Sequence, residues 1–80
     1  MHEWGIATNI IEKIRKYAIM NKLKKVTLAE ITLGKGLHIG LDEFRACLVA
    51  LAKDDCVSAC TFEIKEDDSK LARLELLEGE

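Results

Sequence analysis

The first three residues of the chain carry a high density of atoms that can bind a metal ion. Met1 offers an amino group, His2 an imidazole and Glu3 a carboxylate. The amine of Met1, the amide nitrogen of His2 and an imidazole nitrogen can close two fused chelate rings around one ion. Such a planar, nitrogen-rich set suits Ni(II) or Cu(II) better than Mg(II) or Ca(II). Glu3 can add a fourth ligand or orient His2 through a hydrogen bond. The alternative is an arbitrary, inert start of the chain.

Three cysteines and a second histidine are the other side chains with ligand chemistry. Cys56 and Cys60 are separated by three residues and could share a metal ion, but filling small buried gaps is the simpler interpretation. Cys47 falls in a predicted helical stripe and is expected in the core. His38 lies in a glycine-rich loop, where a solvated side chain is favoured over an approach to the terminus. We find no catalytic triad, phosphate-binding loop or paired-carboxylate cleft, so the sequence predicts no enzyme.

An amphipathic helix follows this terminal cluster. Apolar residues between positions 6 and 23 recur at steps of three and four, which predicts a single helical face. Thr8 or Asn9 could cap a later start of this helix. Trp4 and Tyr17 are expected to pack against a sheet. The stripe comprises Ala7, Ile10, Ile11, Ile14, Tyr17 and Ala18.

Beyond this helix, the pattern predicts a strand, a loop and a second helix. The β-branched run KKVTLAEITLG, residues 24–34, is typical of a strand. It would place Thr27, Ala29, Ile31 and Leu33 on one face. The glycines of GKGLHIG indicate a loop over 34–40. The second helix would end near Asp54 and Asp55, and its stripe comprises Phe44, Cys47, Leu48 and Leu51.

The last 22 residues predict two strands that form a plain hairpin around a polar turn, Glu66 to Lys70. Phe62 and Ile64 would share a face of the first strand, and Leu74 and Leu76 a face of the second. The expected fold is a single α+β domain over residues 1–80, with two helices packed on one face of a three- to four-stranded sheet. A short strand at the amino terminus would supply the fourth.

Composition excludes several classes of protein. Eighty residues suffice for one domain, and 49% hydrophobic with 32% charged residues is typical of a folded globule. Twelve basic against fourteen acidic residues argues against nucleic-acid binding. The sequence shows no apolar stretch of membrane-spanning length and no leader pattern, so we expect neither a membrane span nor secretion. An odd number of cysteines fits a reducing cytoplasm.

The sequence resembles the HypA (HybF) family of hydrogenase nickel-insertion chaperones. The resemblance rests on MHEWGIATNIIEKI at the start, on KKVTLAEITLG, and on FRACLVALAK and FEIKE farther along. It implies a nickel metallochaperone that binds Ni(II) through Met1, His2 and Glu3. Its implied partners are the family's GTPase nickel chaperone and a hydrogenase or urease precursor.

The chain departs from this family at one place. The family carries a zinc module built from paired Cys-x-x-Cys motifs between its last two strands. Here a short turn near 66–70, EDDSK, holds that position without a cysteine. A structural zinc normally takes four nitrogen or sulfur ligands. The sequence therefore predicts no structural zinc. The competing hypothesis is a metal-free interaction module that keeps the scaffold and docks another protein.

Removal of metal is expected to leave the fold unchanged. Where a structural metal holds a small domain together, its binding free energy is folding free energy, and chelators unfold the domain. Treatment with EDTA should therefore leave the circular dichroism spectrum and melting temperature almost unaltered. One tightly held zinc per chain by elemental analysis, together with a large fall in melting temperature, would contradict this prediction.

Overall fold

Two helices and a three-stranded sheet make up the protein. The computed structural model describes residues 2–53 and 56–80, except for the side chain of His2. The elements in chain order are α1 (His2–Met20), β1 (Val26–Gly34), a single 3-10 turn (Lys35–Leu37), α2 (Leu41–Leu51), β2 (Thr61–Asp67) and β3 (Ala72–Gly79). This arrangement confirms the predicted α+β class and a sheet of three strands.

The apolar stripe of α1 forms half of the core. Ala7, Ile10, Ile11, Ile14 and Ala18 are all buried, as the three- and four-residue spacing predicts. The aromatic residues of α1 do not follow the prediction. The two that we expected against the sheet, Trp4 and Tyr17, are 51% and 42% exposed.

Strand β1 lies in the middle of the sheet, and this placement overturns the predicted hairpin. The strand order is β2-β1-β3, with β2 parallel and β3 antiparallel to β1. Strands β2 and β3 are therefore not neighbours, and their connection passes across the end of β1. There the amide of Gly34 donates to the carbonyl of Leu71 at 2.8 Å, and that of Gly36 to Ser69 at 2.9 Å. A polar turn between two strands does not by itself make them a pair.

Gly34 is required where this connection crosses β1. A Cβ atom at this position would meet the backbone carbonyl of Ser69 and approach the Ser69 hydroxyl oxygen to 2.6 Å. The backbone carbonyl cannot move aside without breaking the crossing hydrogen bonds. The glycine predicted to end the strand thus also permits close approach of another segment.

Irregularities in the β1–β3 pairing decide which side chains face the core. The register shifts between Val26 and Leu28. Strict alternation would put the side chain of Val26 on the other face of the sheet from Ala29, yet Val26 is fully buried. A second shift brings Leu77, rather than Leu76, against the core. Leu76 is 39% exposed, so the predicted pairing of Leu74 with Leu76 on one face is wrong. An extra residue in one strand reverses the alternation beyond it.

Two isoleucines of α1 offer a matched test of this core. Ile14 is fully buried, whereas Ile19 is 77% exposed. Truncating a buried isoleucine to alanine leaves a cavity, so Ile14→Ala should lower the free energy of unfolding by about 2–5 kcal/mol. Ile19→Ala should change it by less than about 0.5 kcal/mol. Urea unfolding measures both values, and equal losses would contradict the assigned packing.

An ionic cluster stabilises the connection between β2 and β3. The Asp67 carboxylate accepts from the backbone amide of Ser69 at 2.9 Å and from the Arg73 guanidinium at 2.6 Å. Hydrogen bonds from the Ser69 side chain and backbone, and then from Arg73, lower the pKa of Asp67 to about 2. Arg73 also donates to Glu75 at 3.2 Å. The turn is thus held by hydrogen bonds to an ionised carboxylate.

Acid should weaken this cluster in a defined pH range. Because the pKa of Asp67 is about 2 in the folded chain against an ordinary value of 3.8, its stabilisation is present above about pH 4 and lost as the pH falls through about 2. Asp67→Asn should be less stable than the parent at pH 7, and the difference should shrink between pH 4 and pH 2. Melting temperatures across this range measure it; a constant difference would contradict the ionic role.

Candidate metal centre at the start of the first helix

The helix that carries the predicted ligands begins at His2, earlier than the sequence indicated. Thr8 does not cap a later start, because its hydroxyl donates to the carbonyl of Trp4 at 2.7 Å inside the helix. The suggested terminal strand is likewise wrong, since residues 2–20 are helical. Glu3 in the first turn favours this early start, because a carboxylate there interacts well with the positive end of the helix dipole.

Of the three predicted ligands, Glu3 is the one whose side chain the structure describes. Met1 and the side chain of His2 lie outside the described residues. Glu3 is half-buried and close enough to α2 to act on Cys47. Burial raises the pKa of the Cys47 thiol, and the negative charge of Glu3 raises it further. Cys47 is buried as predicted, and its thiol stays protonated at neutral pH.

The start of α1 lies at the carboxyl end of β1, beside two connecting segments of the chain. Ile6 and Ile10 line a shallow groove with Leu37, Leu71 and Ala72. This groove brings together α1, the 3-10 turn after β1 and the β2–β3 connection. The first turn of α2, with Asp42 and Glu43, follows the 3-10 turn and lies at this end too.

His38 belongs to the same end of the molecule, but the structure does not join it to a ligand set. It is exposed and adopts a left-handed conformation with a φ of 56°, where its amide donates to Lys35 and closes the 3-10 turn. Glu43 folds back over Gly40, where a Cβ atom would meet its carboxylate. Within residues 2–53 and 56–80, no three His, Cys, Asp or Glu side chains form a group suited to a metal ion.

Cys56 and Cys60 lie at the opposite end of the sheet. The carbonyl of Cys56 accepts from the amide of Val26, the first residue of β1, at 3.0 Å. Strand β1 runs eight residue steps from Val26 to Gly34, a distance of about 26 Å at about 3.3 Å per step. Both thiols are partly buried against the core, as predicted, and burial with the nearby Cys56 raises the pKa of Cys60 to about 11. These cysteines cannot contribute to a site at the start of α1.

The His2 amide nitrogen, predicted above as a ligand from chelate chemistry, belongs to the first turn of α1. The first four N–H groups of a helix have no acceptor within the helix. The amide nitrogen of His2 can therefore release its proton to solvent when a metal binds, without breaking a helical hydrogen bond. In the part of the chain that the structure describes, no helix is long and apolar enough to cross a membrane.

Comparisons with known proteins identify the family. A family model described as hydrogenase/urease nickel incorporation, metallochaperone, HypA matches residues 1–72 of this chain. Among solved structures, the nickel metallochaperone HypA from Helicobacter pylori is similar with a TM-score of 0.82 and 13% identity, covering 96% of each chain. No curated protein sequence matches. The structural similarity supports the fold, and the family model spans nine-tenths of the sequence. The chain therefore belongs to the HypA family of hydrogenase/urease nickel-incorporation metallochaperones.

Proposed function

We propose that this chain binds one Ni(II) ion at the start of α1 and transfers it to a hydrogenase or urease precursor. The ligands are the amine of Met1, the amide and imidazole nitrogens of His2, and the carboxylate of Glu3. The observation that carries the proposal is that the family model extends to residue 1, so the terminal segment belongs to the part of the chain that resembles nickel-incorporation proteins. The ion is cargo, and the chain performs no catalysis.

The charges of the proposed ligands counteract the electrostatic potential of the helix start. A divalent cation at a helix amino terminus meets the positive end of the helix dipole, which disfavours binding. Loss of its proton makes the His2 amide nitrogen a negatively charged ligand, and the Glu3 carboxylate is a second negatively charged ligand. These two charges offset both the dipole and the ion's own charge. The same logic makes binding sensitive to pH, because protons compete for the amine, the amide and the imidazole.

A candidate for a further oxygen ligand lies in the first turn of α2. Asp42 is exposed in the first turn of that helix, at the end of the molecule where α1 also starts. Its neighbour Glu43 is turned back over Gly40 and is less suited to the role. We therefore include Asp42 as a candidate ligand in addition to the four named above. Asp42→Asn should weaken binding less than loss of a nitrogen ligand.

The location of the site suits transfer rather than storage. Helix α1 begins at His2, so a recipient can reach a metal bound at this helix start without unfolding the core. The proposed partners are a GTPase nickel chaperone and the apo-enzyme, in the cytoplasm, where free thiols stay reduced. Trp4 is half-exposed next to the ligands and offers an aromatic surface beside the metal to an approaching partner.

Removing the terminal amine should weaken nickel binding selectively. The experiment uses untagged protein whose intact mass shows a retained, unmodified Met1. Acetylation of the amine, or His2→Ala, should raise the dissociation constant for Ni(II) at least tenfold, equivalent to about 1.4 kcal/mol. Calorimetric titration measures this. His38→Ala, Cys56→Ser and Cys60→Ser are the controls and should change it far less.

A glycine inserted ahead of Met1 distinguishes a chelate from a loose electrostatic site. The insertion keeps every side chain but moves His2 to the third position, where two amide nitrogens intervene. Binding should persist with an altered absorption spectrum and a different pH dependence. If acetylated and His2→Ala proteins bind nickel as tightly as the parent chain, the terminal site is refuted, and the metal-free interaction module becomes the preferred function.

A further inference from the structure

The outer edge of β2 is a regular strand edge that another chain can extend. Strand β2 pairs with β1 on one side, and among residues 2–53 and 56–80 no strand pairs with its other side. Its register to β1 runs without interruption from Thr61 to Asp67. The other outer strand, β3, is interrupted by irregular pairing near Glu75. Since bulges protect an edge and a regular edge invites pairing, β2 is the more competent template.

The charges on β2 are arranged for pairing with a copy of itself. Glu63 and Lys65 are exposed and lie on the face away from the helices, since Phe62 and Ile64 pack toward the core. Neither charged side chain has an ion-pair partner within the described residues. The two charges are opposite in sign and two residues apart on one face, with Ile64 between them.

We propose that a second copy of this chain pairs with β2 in antiparallel orientation, about a two-fold axis through Ile64. In this register Glu63 lies opposite Lys65 of the second copy, and Lys65 lies opposite its Glu63. Directly opposite side chains are about 5 Å apart at Cβ, so two intermolecular ion pairs form. The result is a continuous six-stranded sheet with all four helices on one face.

The alternative registers are disfavoured by charge. Directly opposite residues of paired strands point to the same face of the sheet. A two-fold axis normal to the sheet must therefore pass midway between one residue and the same residue of the second copy. Moving the axis to Glu63 places two glutamates directly opposite each other, and moving it to Lys65 does the same with two lysines. Like charges in opposite positions destabilise a strand pair. The register centred on Ile64 is thus selected over its immediate neighbours.

Helix α2 supplies apolar surface beside the same edge. Arg45 donates to the carbonyl of Phe62 on β2 at 3.5 Å, so this side of the helix lies over the strand. Val49, one turn farther on, is 57% exposed, and Ala46 and Ala50 next to it are exposed as well. In the proposed pair the two α2 helices run side by side across the axis and cover these residues. Strand pairing and burial of apolar surface then both favour a second copy of this chain as the partner.

The pairing has a consequence for the position of the metal sites. Because the two β2 strands run antiparallel, the start of α1 in one copy lies at the opposite end of the pair from that in the other. The starts of the two α1 helices therefore stay apart from the paired strand edge and from each other. The proposal does not rest on nickel binding, and self-association should be equal with and without the metal.

Charge reversal provides a test with an internal rescue. Glu63→Lys gives a strand with two positive charges, and Lys65→Glu gives one with two negative charges. Each variant alone should weaken self-association at least tenfold by sedimentation velocity. An equimolar mixture should associate again, because each lysine now faces a glutamate of the other variant. The double variant E63K/K65E keeps the net charge and should pair like the parent.

The control variant is Glu78→Lys on the exposed part of β3, which makes the same charge change at the other outer strand. It should leave association unaltered, and circular dichroism should show that all variants fold. A parent chain that stays monomeric at about millimolar concentration would overturn the proposal. So would a mixture of the two single variants that fails to associate while both remain folded.

Discussion

The pairing of β1 along both of its edges is the constraint on which the rest of this protein depends. Its inner side chains Ala29, Ile31 and Leu33 are buried beneath the helices. Buried backbone amides and carbonyls must be hydrogen-bonded, and in a sheet this small both neighbouring strands are needed to satisfy them. The order β2-β1-β3 follows. It forces α2 to serve as the crossover between two parallel strands and forces the β2–β3 connection across the carboxyl end of β1.

This topology brings the starts of both helices to one end of the molecule. Helix α1 starts at the carboxyl end of β1, and α2 starts there because the chain leaves β1 at Gly34. Two helix amino termini at one end create a region of positive potential, which the acidic residues Glu3, Asp42 and Glu43 in their first turns oppose. A cation can be held there when deprotonated ligands add further negative charge. Cys56 and Cys60, at the far end of the sheet, pack against the core instead.

Hydrogen bonds stabilise the connection between β2 and β3 where it crosses the end of β1. Asp67 holds the turn through Ser69 and Arg73, and Gly34 leaves the space that the turn occupies. These contacts link the end of one outer strand to the start of the other over the central strand. The core has about fifteen buried apolar residues. A domain this small is marginally stable, so hydrogen bonds that join its two outer strands matter to the whole fold.

The sequence alone determined the parts of the structure whose causes are local. The buried stripe of α1, the β-branched run of β1 and the stripe of α2 each follow a fixed period, and each of these elements covers most of the residues that its period predicted. The family was recognised from the motif that opens at Met1 and from the later strands, and the family model agrees. The ligand roles of Met1, His2 and Glu3 follow from that resemblance and from chelate chemistry; they remain predictions.

Tertiary structure alone decided the strand order, the start of α1 and the side chains that the bulges redirect. Strand pairing joins residues far apart in sequence, so a turn at 66–70 could not reveal that β1 lies between β2 and β3. A single extra residue changes which of Leu76 and Leu77 meets the core, and it leaves no mark in a periodic pattern. The two ends of the sheet, which separate Glu3 from Cys56, likewise exist only once β1 has both of its neighbours.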